Sequence, residues 1–209
     1  MSFQLRKAVL SDTPAITDAF YDAFDRHPVT HRVLMPRSES TEAFWSESVQ
    51  GDIQDPQGHY FVVTDPASAT PERIIAFGKW REPVTAASSP PPPIPSWPEG
   101  GDVVFAELFF GMVKTKHDEI MGERPHWYLE ILGVRKEYQG RGVGRRLVEW
   151  GVSKADEDGV EGFLAASPFG FHLYAKYGFE IVEKVEVDIG AAEPYVERFM
   201  LRKAKDSPA

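Results

Sequence analysis

The chain has 209 residues, 42% hydrophobic and 26% charged, with a formal net charge of −9, values typical of one globular domain with an ordinary core. No apolar run approaches the roughly 20 residues that cross a bilayer, and no signal-peptide core follows Met1. We therefore expect a cytoplasmic protein away from membranes, with a nuclear location left open. The acidic charge disfavours nucleic acid as a partner, and the absence of cysteine excludes a cysteine acyl-enzyme and a thiolate metal site.

The N-terminal part of the chain predicts a strand followed by two helices and two further strands. Residues 3–8 alternate weakly, as a strand does. Ser11-Asp12 offers a helix cap with Pro14 in the first turn, and apolar residues then recur at helical spacing. The other elements predicted here are a helix over 41–49 and strands over 60–63 and 74–80.

Residues 83–101 are rich in proline, which favours an extended conformation and cannot join the interior of a sheet. They are interpreted either as a proline-rich peptide ligand or as a surface loop, and the loop is favoured because strand patterning resumes later. Residues 102–122 predict a helix. We interpret 83–122 as an insertion in a single domain that spans 1–209.

The most informative segment links a predicted strand, 127–134, to a helix that includes 147–152. Glycines at 140, 142 and 144 let backbone N–H groups turn outward and converge, because glycine reaches positive φ without steric cost. The helix start adds unpaired N–H groups and the positive end of its dipole. Strand, glycine-rich turn and helix start together predict a cradle for phosphate.

Basic side chains surround this turn, and the acidic residue among them is Glu137. Basic residues oppose the helix dipole at this end, so their placement fits a bound polyanion better than a solvated helix start. The basic residues are Arg135, Lys136, Arg141, Arg145 and Arg146.

Two motifs identify a family. The glycine spacing fits neither a P-loop nor a dinucleotide fingerprint. Instead, Gln139-x-x-Gly142-x-Gly144 resembles the acetyl-CoA signature of the GCN5-related N-acetyltransferase (GNAT) superfamily. Leu173-Tyr-Ala-Lys-Tyr-Gly-Phe179 resembles the family's C-terminal element, in the same order and at a similar distance. The resemblance is strong over 128–179, weaker over 1–82 and absent over 83–125.

The resemblance implies an α/β fold with a mixed sheet whose central strands splay apart. The C-terminal residues themselves predict a strand over 161–166, a short helix over 168–176 and a closing hairpin of 179–187 with 195–201, and the resulting order of elements matches the family's sheet. The insertion would fold over the acceptor side. The resemblance also implies acetyl-CoA as co-substrate, no metal, and an amine as acceptor.

The family implies that cofactor binding uses mostly backbone groups. Pantetheine would lie between the splayed strands and pair with Leu132 and Val134, where one N–H would polarise the thioester carbonyl. Gly133 fits a bulge or a close ligand approach, or it is only a weak point in the strand. Ser167 stands where the family often carries asparagine near pantetheine. The diphosphate would contact Gln139, Gly140, Arg141, Gly142, Val143, Gly144 and Arg145.

Two side chains are candidates for catalysis. Tyr174 would protonate the departing thiolate; the alternative is a tyrosine that only packs on the sheet. The amine needs a base, and Glu130 is the candidate, because strand alternation places it on the same face as Leu132 and Val134 and apolar surroundings should raise its pKa. The alternative is a carboxylate paired with a cation. Fallback bases are His126 and His172.

These residues predict an enzyme that transfers acetyl directly to a primary amine in a ternary complex. The alternative is a CoA-binding sensor or scaffold that has lost catalysis. The acceptor could be a small molecule, a protein N-terminus or a lysine. A homodimer through an edge strand is compatible with this architecture.

Overall fold

The structure, a computed structural model, describes residues 3–83, 91 and 93–205. The described strands are Gln4–Lys7 (β1), Gly58–Thr64 (β2), Ile74–Arg81 (β3), His126–Val134 (β4), Glu161–Ala166 (β5), Glu180–Val187 (β6) and Tyr195–Arg202 (β7). The described α-helices are Thr13–Ala23 (α1), Pro28–Leu34 (α2), Glu39–Gln54 (α3), Val103–Met121 (α4), Val143–Asp158 (α5) and Phe171–Ala175 (α6).

The strands form one mixed sheet in the order β1-β2-β3-β4-β5-β7-β6. Every neighbouring pair is antiparallel except the central pair β4 and β5, which is parallel and joined through α5. This arrangement confirms the predicted fold class. Helix α2 was not predicted. It begins at Pro28, and the side chain of His27 caps it.

One predicted helix cap is wrong. Asp12 precedes α1, but its side chain does not cap that helix. Its carboxylate accepts from the Val9 amide at 2.9 Å and from the Arg6 guanidinium at 2.8 Å. The arginine of β1 therefore competes successfully for the carboxylate that the local pattern assigned to the helix.

Helices cover both faces of the sheet. On one face, α1, α2, α3 and the start of α4 share a core with β2 and β3. On the other face, α5 packs over the centre of the sheet. Trp80 of β3 anchors this second layer: it is fully buried, and its indole N–H donates to the Leu147 carbonyl of α5 at 2.9 Å.

Gly151 of α5 lies directly on the Trp80 ring. A Cβ built at this glycine would stand 2.0 Å from a ring atom, closer than any van der Waals contact. We expect Gly151→Ala to lower the free energy of unfolding by about 3 kcal/mol, the upper part of the usual range for overpacking. Chemical denaturation measures this.

The matched control is Gly111→Ala on α4. Nothing lies within 4 Å of a Cβ at Gly111, so this change should stabilise the protein by about 0.5–1 kcal/mol through helix propensity. Equal effects of the two substitutions would contradict the packing assigned to Trp80.

Part of the predicted insertion packs on the helices that cover the first face of the sheet, α2, α3 and α4. Trp97 stacks on Phe44 of α3, with ring centroids 5.0 Å apart, and on Phe110 of α4 at 5.3 Å. The Arg32 guanidinium of α2 meets the Asp102 carboxylate at 2.7 Å. The polyproline prediction for 84–90 and 92 lies outside the described residues. None of the described helices has the length and apolar character needed to cross a membrane.

Candidate functional site

The two central strands separate halfway along their length. β4 and β5 pair in parallel from His126 opposite Glu161 to Leu129 opposite Leu164. β4 then continues to Val134 without a β5 partner in the described chain. The backbone of residues 130–134 is therefore open on that side, as splayed central strands require.

The backbone amides of Leu132 and Val134 face this gap. The amide of Arg135 donates to the Ile75 carbonyl of β3 at 2.9 Å. Because peptide groups alternate sides along a strand, the amides of residues 134 and 132 point away from β3. The Val134 carbonyl faces the same way and accepts the side-chain amide of Gln139 at 2.9 Å. Gln139 therefore ties the following loop to the end of β4.

A bulge interrupts β4 before the gap. Lys79 of β3 pairs with Ile131 and Trp80 pairs with Leu129, so Glu130 has no partner in the register. An extra residue of this kind inverts the alternation of side chains beyond it. The predicted placement of Glu130 on the same face as Leu132 and Val134 is therefore wrong.

Contacts on the two faces show the inversion. The Glu130 carboxylate lies 2.6 Å from the Lys79 ammonium, which also lies 2.7 Å from the Asp52 carboxylate of α3. Leu132 and Val134 instead touch the α5 face, since a Cβ at Gly144 would stand 3.4 Å from each of them. The sequence predicts Glu130 either as a base or as a carboxylate paired with a cation. The structure shows the ion pair, with the buried Lys79.

The glycine-rich loop presents unpaired amides. Gly140 and Gly142 have φ of 74° and 80°, and Gly142 immediately precedes α5. Among the described residues, the amides of Gly140 and of residues 142–145 donate no hydrogen bond. Converging free N–H groups at a helix start attract anions. The loop geometry is the one that the sequence predicts, and the binding of phosphate there stays a prediction.

A cavity of about 780 Å³ joins this loop to the gap. At one end it is lined by the loop and Arg145, and at the other by Ser167, Tyr174 and His27. Leu132, Gly133 and Val134 form its floor along β4. The residues predicted to bind a cofactor therefore mostly share one cavity.

Gly133 is required by packing rather than by the bulge. A Cβ at this position would stand 2.5 Å from the Phe77 ring and 3.0 Å from the Phe24 ring. Both rings lie on the α1 face of the sheet. The glycine thus lets α1 and β3 close against the floor of the cavity.

Of the basic residues near the loop, two are engaged elsewhere. Arg135 is 4% exposed and binds Asp18 of α1 at 2.5 Å and the Ile74 carbonyl at 2.8 Å. Lys136 pairs with Asp25 at 2.5 Å. The predicted contribution of Arg135 to a polyanion site is therefore wrong, because its guanidinium is buried in an ion pair.

Two of the three other arginines, Arg141 and Arg145, have guanidinium groups that are not buried in an ion pair. Arg141 is exposed and stacks over the Tyr138 ring at 5.3 Å. Arg145 lines the cavity and makes a surface contact with Glu149 at 3.3 Å. Such exposed pairs are weak, so both guanidinium groups are available to a bound anion.

Tyr174 stands at the gap end of the cavity. It is 8% exposed, and its hydroxyl makes no hydrogen bond within the described chain. Burial raises its pKa, and the nearby charge of Glu197 raises it further. The phenol therefore remains protonated at neutral pH and can donate a hydrogen bond.

The sequence did not point to Glu197. This β7 carboxylate is 5% exposed, and burial raises its pKa to about 7, against opposing effects of the Tyr195 hydroxyl and of Arg198. Its signal was present in the alternation of β7, where Tyr195, Glu197 and Phe199 occupy one buried face. A carboxylate between two buried aromatic residues breaks an otherwise apolar pattern.

His27 also lines the cavity and was not singled out. Its Nε2 lies 3.2 Å from the Tyr195 hydroxyl, and its Nδ1 accepts from the Thr30 amide at 3.4 Å. Burial lowers the pKa of His27 to about 4. The ring is therefore neutral at pH 7.

The two fallback histidines differ in position. His126 is buried away from the cavity, with its Nδ1 2.7 Å from the Arg124 carbonyl and its Nε2 2.6 Å from His117 Nε2. Burial lowers its pKa. His172 lines the cavity. In the described part of the chain, no cluster of three or more metal-ligating side chains could hold an ion.

The splayed strands and the free amides at a helix start define a CoA-dependent acyltransferase type of site. A family model described as "Acetyltransferase (GNAT) family" matches residues 30–179. The chain belongs to this family, which confirms the resemblance drawn from its two motifs. Its family is one of acetyl-CoA-dependent acetyltransferases.

Individual relatives are more distant. A mycothiol acetyltransferase of Propionibacterium freudenreichii is 32% identical over 89 residues, which cover 41% of this chain and 28% of that protein. The match thus spans little more than a quarter of the relative's length.

Solved structures share the fold. One is a Corynebacterium glutamicum protein described as "histone acetyltransferase HPA2 and related acetyltransferase". It superposes with a TM-score of 0.67 at 20% identity, over 100% of both chains. Arabidopsis thaliana NAA60 in complex with acetyl-CoA gives a TM-score of 0.58 at 17% identity, over 96% of this chain and 97% of that one.

Proposed function

We propose that the protein transfers the acetyl group of acetyl-CoA directly to a primary amine bound in the same complex. One observation carries the proposal: unpaired amides of the loop and of β4 line a single cavity that ends at Tyr174. The chemistry of CoA matches that order, with a diphosphate, a long amide-bearing arm and a reactive thioester.

The loop and β4 would hold the co-substrate from opposite ends. The amides of Gly140 and residues 142–145 suit the diphosphate, with Arg141 and Arg145 adding charge-assisted contacts. The pantetheine arm carries amides that can pair with the open edge of β4 at residues 132 and 134. Ser167 lies beside that path and offers a hydroxyl.

In the transfer, the neutral amine nitrogen attacks the thioester carbonyl carbon. A C–N bond forms, the C–S bond breaks, and the sulfur leaves as a thiolate. A β4 amide stabilises the negative charge that develops on the carbonyl oxygen. The Tyr174 hydroxyl, held protonated by burial, donates its hydrogen bond or proton to the thiolate. The nitrogen loses its second proton as the amide forms, and this proton balances the one that the sulfur gains.

The attacking amine must lose a proton, since an ordinary alkylammonium has a pKa of about 10.4. Two carboxylates are candidates to take this proton, and both lie on the face of the sheet that is covered by α1, α2, α3 and α4. Glu130 is bound to Lys79, while Glu197 has no salt bridge in the described chain. Either carboxylate would also attract a cationic acceptor to the gap.

The acceptor is proposed to be a primary amine, as in a small molecule, a protein N-terminus or a lysine. The test is turnover of acetyl-CoA against a mixed panel of small amines and peptides, with CoA release followed by a thiol reagent and products by mass spectrometry. We expect an acetylated amine and stoichiometric CoA. Tight acetyl-CoA binding without turnover across the panel would favour a silent CoA-binding module instead.

A further inference from the structure

Glu197 is a buried carboxylate with one oxygen that the fold leaves without a hydrogen bond. It lies on β7 between Tyr195 and Phe199, and its Oε2 makes no hydrogen bond in the described chain. Burying a carboxylate without such a partner is costly. The burial of this carboxylate therefore lowers stability, and a functional role would explain why the position is not apolar.

The surroundings of Glu197 place it at the gap between β4 and β5. Burial is the main cause of the raised pKa of Tyr128 on β4, of Tyr174 on α6 and of Tyr195 on β7, and the negative charge of Glu197 raises each of them further. In the register, Arg198 of β7 pairs with Ala166, the last residue of β5. Glu197 of β7 thus lies one position beyond the paired end of β5. It is near Tyr174, the tyrosine that would face the CoA sulfur.

The neighbours of Glu197 along β7 also define the face of the sheet to which its side chain points. Tyr195 belongs to the core formed with α1, α2 and α4, and Phe199 belongs to the core formed with the end of α4. By strand alternation, Glu197 points to the same face. The glycine-rich loop and α5 lie on the opposite face, so an amine could approach Glu197 while CoA occupies the other side.

We propose that the Glu197 carboxylate binds the ammonium group of the acceptor and takes its proton before attack. This inference rests on the proposed acetyl transfer. In the step, one ammonium N–H bond breaks, a carboxyl O–H bond forms, and the freed nitrogen lone pair attacks the thioester. Tyr174 acts separately, on the sulfur.

The charged and titratable groups around Glu197 suit this role. Tyr195 and Arg198 on β7 favour its charged form, but burial outweighs them and the pKa reaches about 7. Tyr128 and Tyr174 face it from β4 and α6 as neutral phenols. A base of this pKa is half-ionised near neutral pH, where proton transfer is efficient.

The neighbouring histidine orients the site but cannot replace the base. Because Thr30 donates to Nδ1 of His27, the neutral ring carries its proton on Nε2 and donates to the Tyr195 oxygen. The Tyr195 hydroxyl hydrogen is then free to face Glu197. His27 and Tyr195 are therefore positioning residues.

The test uses an acceptor found by the turnover panel and measures kcat/KM against pH at saturating acetyl-CoA. For the wild type, we expect kcat/KM to fall about tenfold per pH unit below about 7, since the protonated carboxyl cannot accept a proton. Glu197→Gln should lower the plateau by about 100-fold or more and remove this inflection. Its dissociation constant for acetyl-CoA should remain at the wild-type value.

Glu130→Gln is the discriminating variant, because it should keep the inflection near pH 7 whatever its effect on rate. The inference is overturned if Glu197→Gln keeps both rate and inflection, or if Glu130→Gln removes the inflection instead. If Glu197→Gln does not fold, ¹³C NMR of the wild-type carboxyl decides: titration near 7 supports the role and titration near 4 refutes it. Failure of the wild type to acetylate any amine would instead refute the proposed function.

Discussion

Tyr174→Phe is expected to lower kcat about 100-fold, the lower end of the range for loss of a general acid, while the dissociation constant for acetyl-CoA stays within about twofold. The substitution keeps the buried ring and its packing but removes the hydroxyl that faces the cavity. The thiolate would then leave without a proton donor. Steady-state kinetics at saturating acetyl-CoA, with calorimetry for binding, measure the two effects separately.

Tyr177→Phe is the matched control. Tyr177 lies just past the end of α6, and its hydroxyl donates to the Glu149 carboxylate at 3.1 Å, so its loss should leave kcat close to the wild-type value. If both variants reduce kcat equally, or if Tyr174→Phe is as active as the wild type, the role given to Tyr174 is wrong.

The second large effect is expected at Gly142. With φ of 80°, this residue lies in the left-handed region, where a Cβ costs about 1–2 kcal/mol. Nothing lies within 4 Å of that Cβ, so alanine would act by shifting the backbone and its free amides. We expect Gly142→Ala to weaken acetyl-CoA binding by about tenfold, the equivalent of about 1.4 kcal/mol.

Gly159→Ala provides the control, because Gly159 ends the same helix with φ of 64°. Both variants should lose similar stability in denaturation experiments, but only Gly142→Ala should bind acetyl-CoA more weakly in calorimetry. The difference should vanish for S-acetylpantetheine, which lacks the diphosphate. Equal affinities of the two variants for acetyl-CoA would contradict the phosphate-binding role of the loop.

The sequence predicted those parts of the molecule that depend on local chemistry. The glycines at 140 and 142 have the positive φ that their spacing suggested, and β5 has the predicted bounds. The same prediction is wrong for Gly144, which lies inside α5 without positive φ. A turn that only glycine can adopt, followed by a helix start, leaves few alternative structures. The order of strands followed from the family resemblance.

The parts that were missed depend on contacts between distant segments. Arg135 looked like a free cation but is bound to Asp18, 117 residues away. The bulge at Glu130 is a shift of one residue set by pairing with β3 and accompanied by the ion pair to Lys79. Such a shift moves every side chain beyond it to the opposite face of the sheet, and no local sequence pattern predicts it.

Glu197 illustrates the same limit for function. Its alternation with Tyr195 and Phe199 was visible, but its significance comes from neighbours on β4 and α6 that only the fold brings together. A buried carboxylate at the end of a splayed strand pair becomes a candidate base once Tyr174 is seen beside it. His27, which contacts the neighbouring Tyr195, caps a short helix that the sequence did not predict.

The most direct test of the account is a titration of the ¹⁵N-labelled protein with CoA, followed by the backbone amide signals. We predict the largest shifts for the amides of Gly140 and residues 142–145, together with those of Leu132 and Val134, because these groups exchange water for phosphate and pantetheine oxygens. Saturable CoA binding that left these amides unshifted would contradict the central claim.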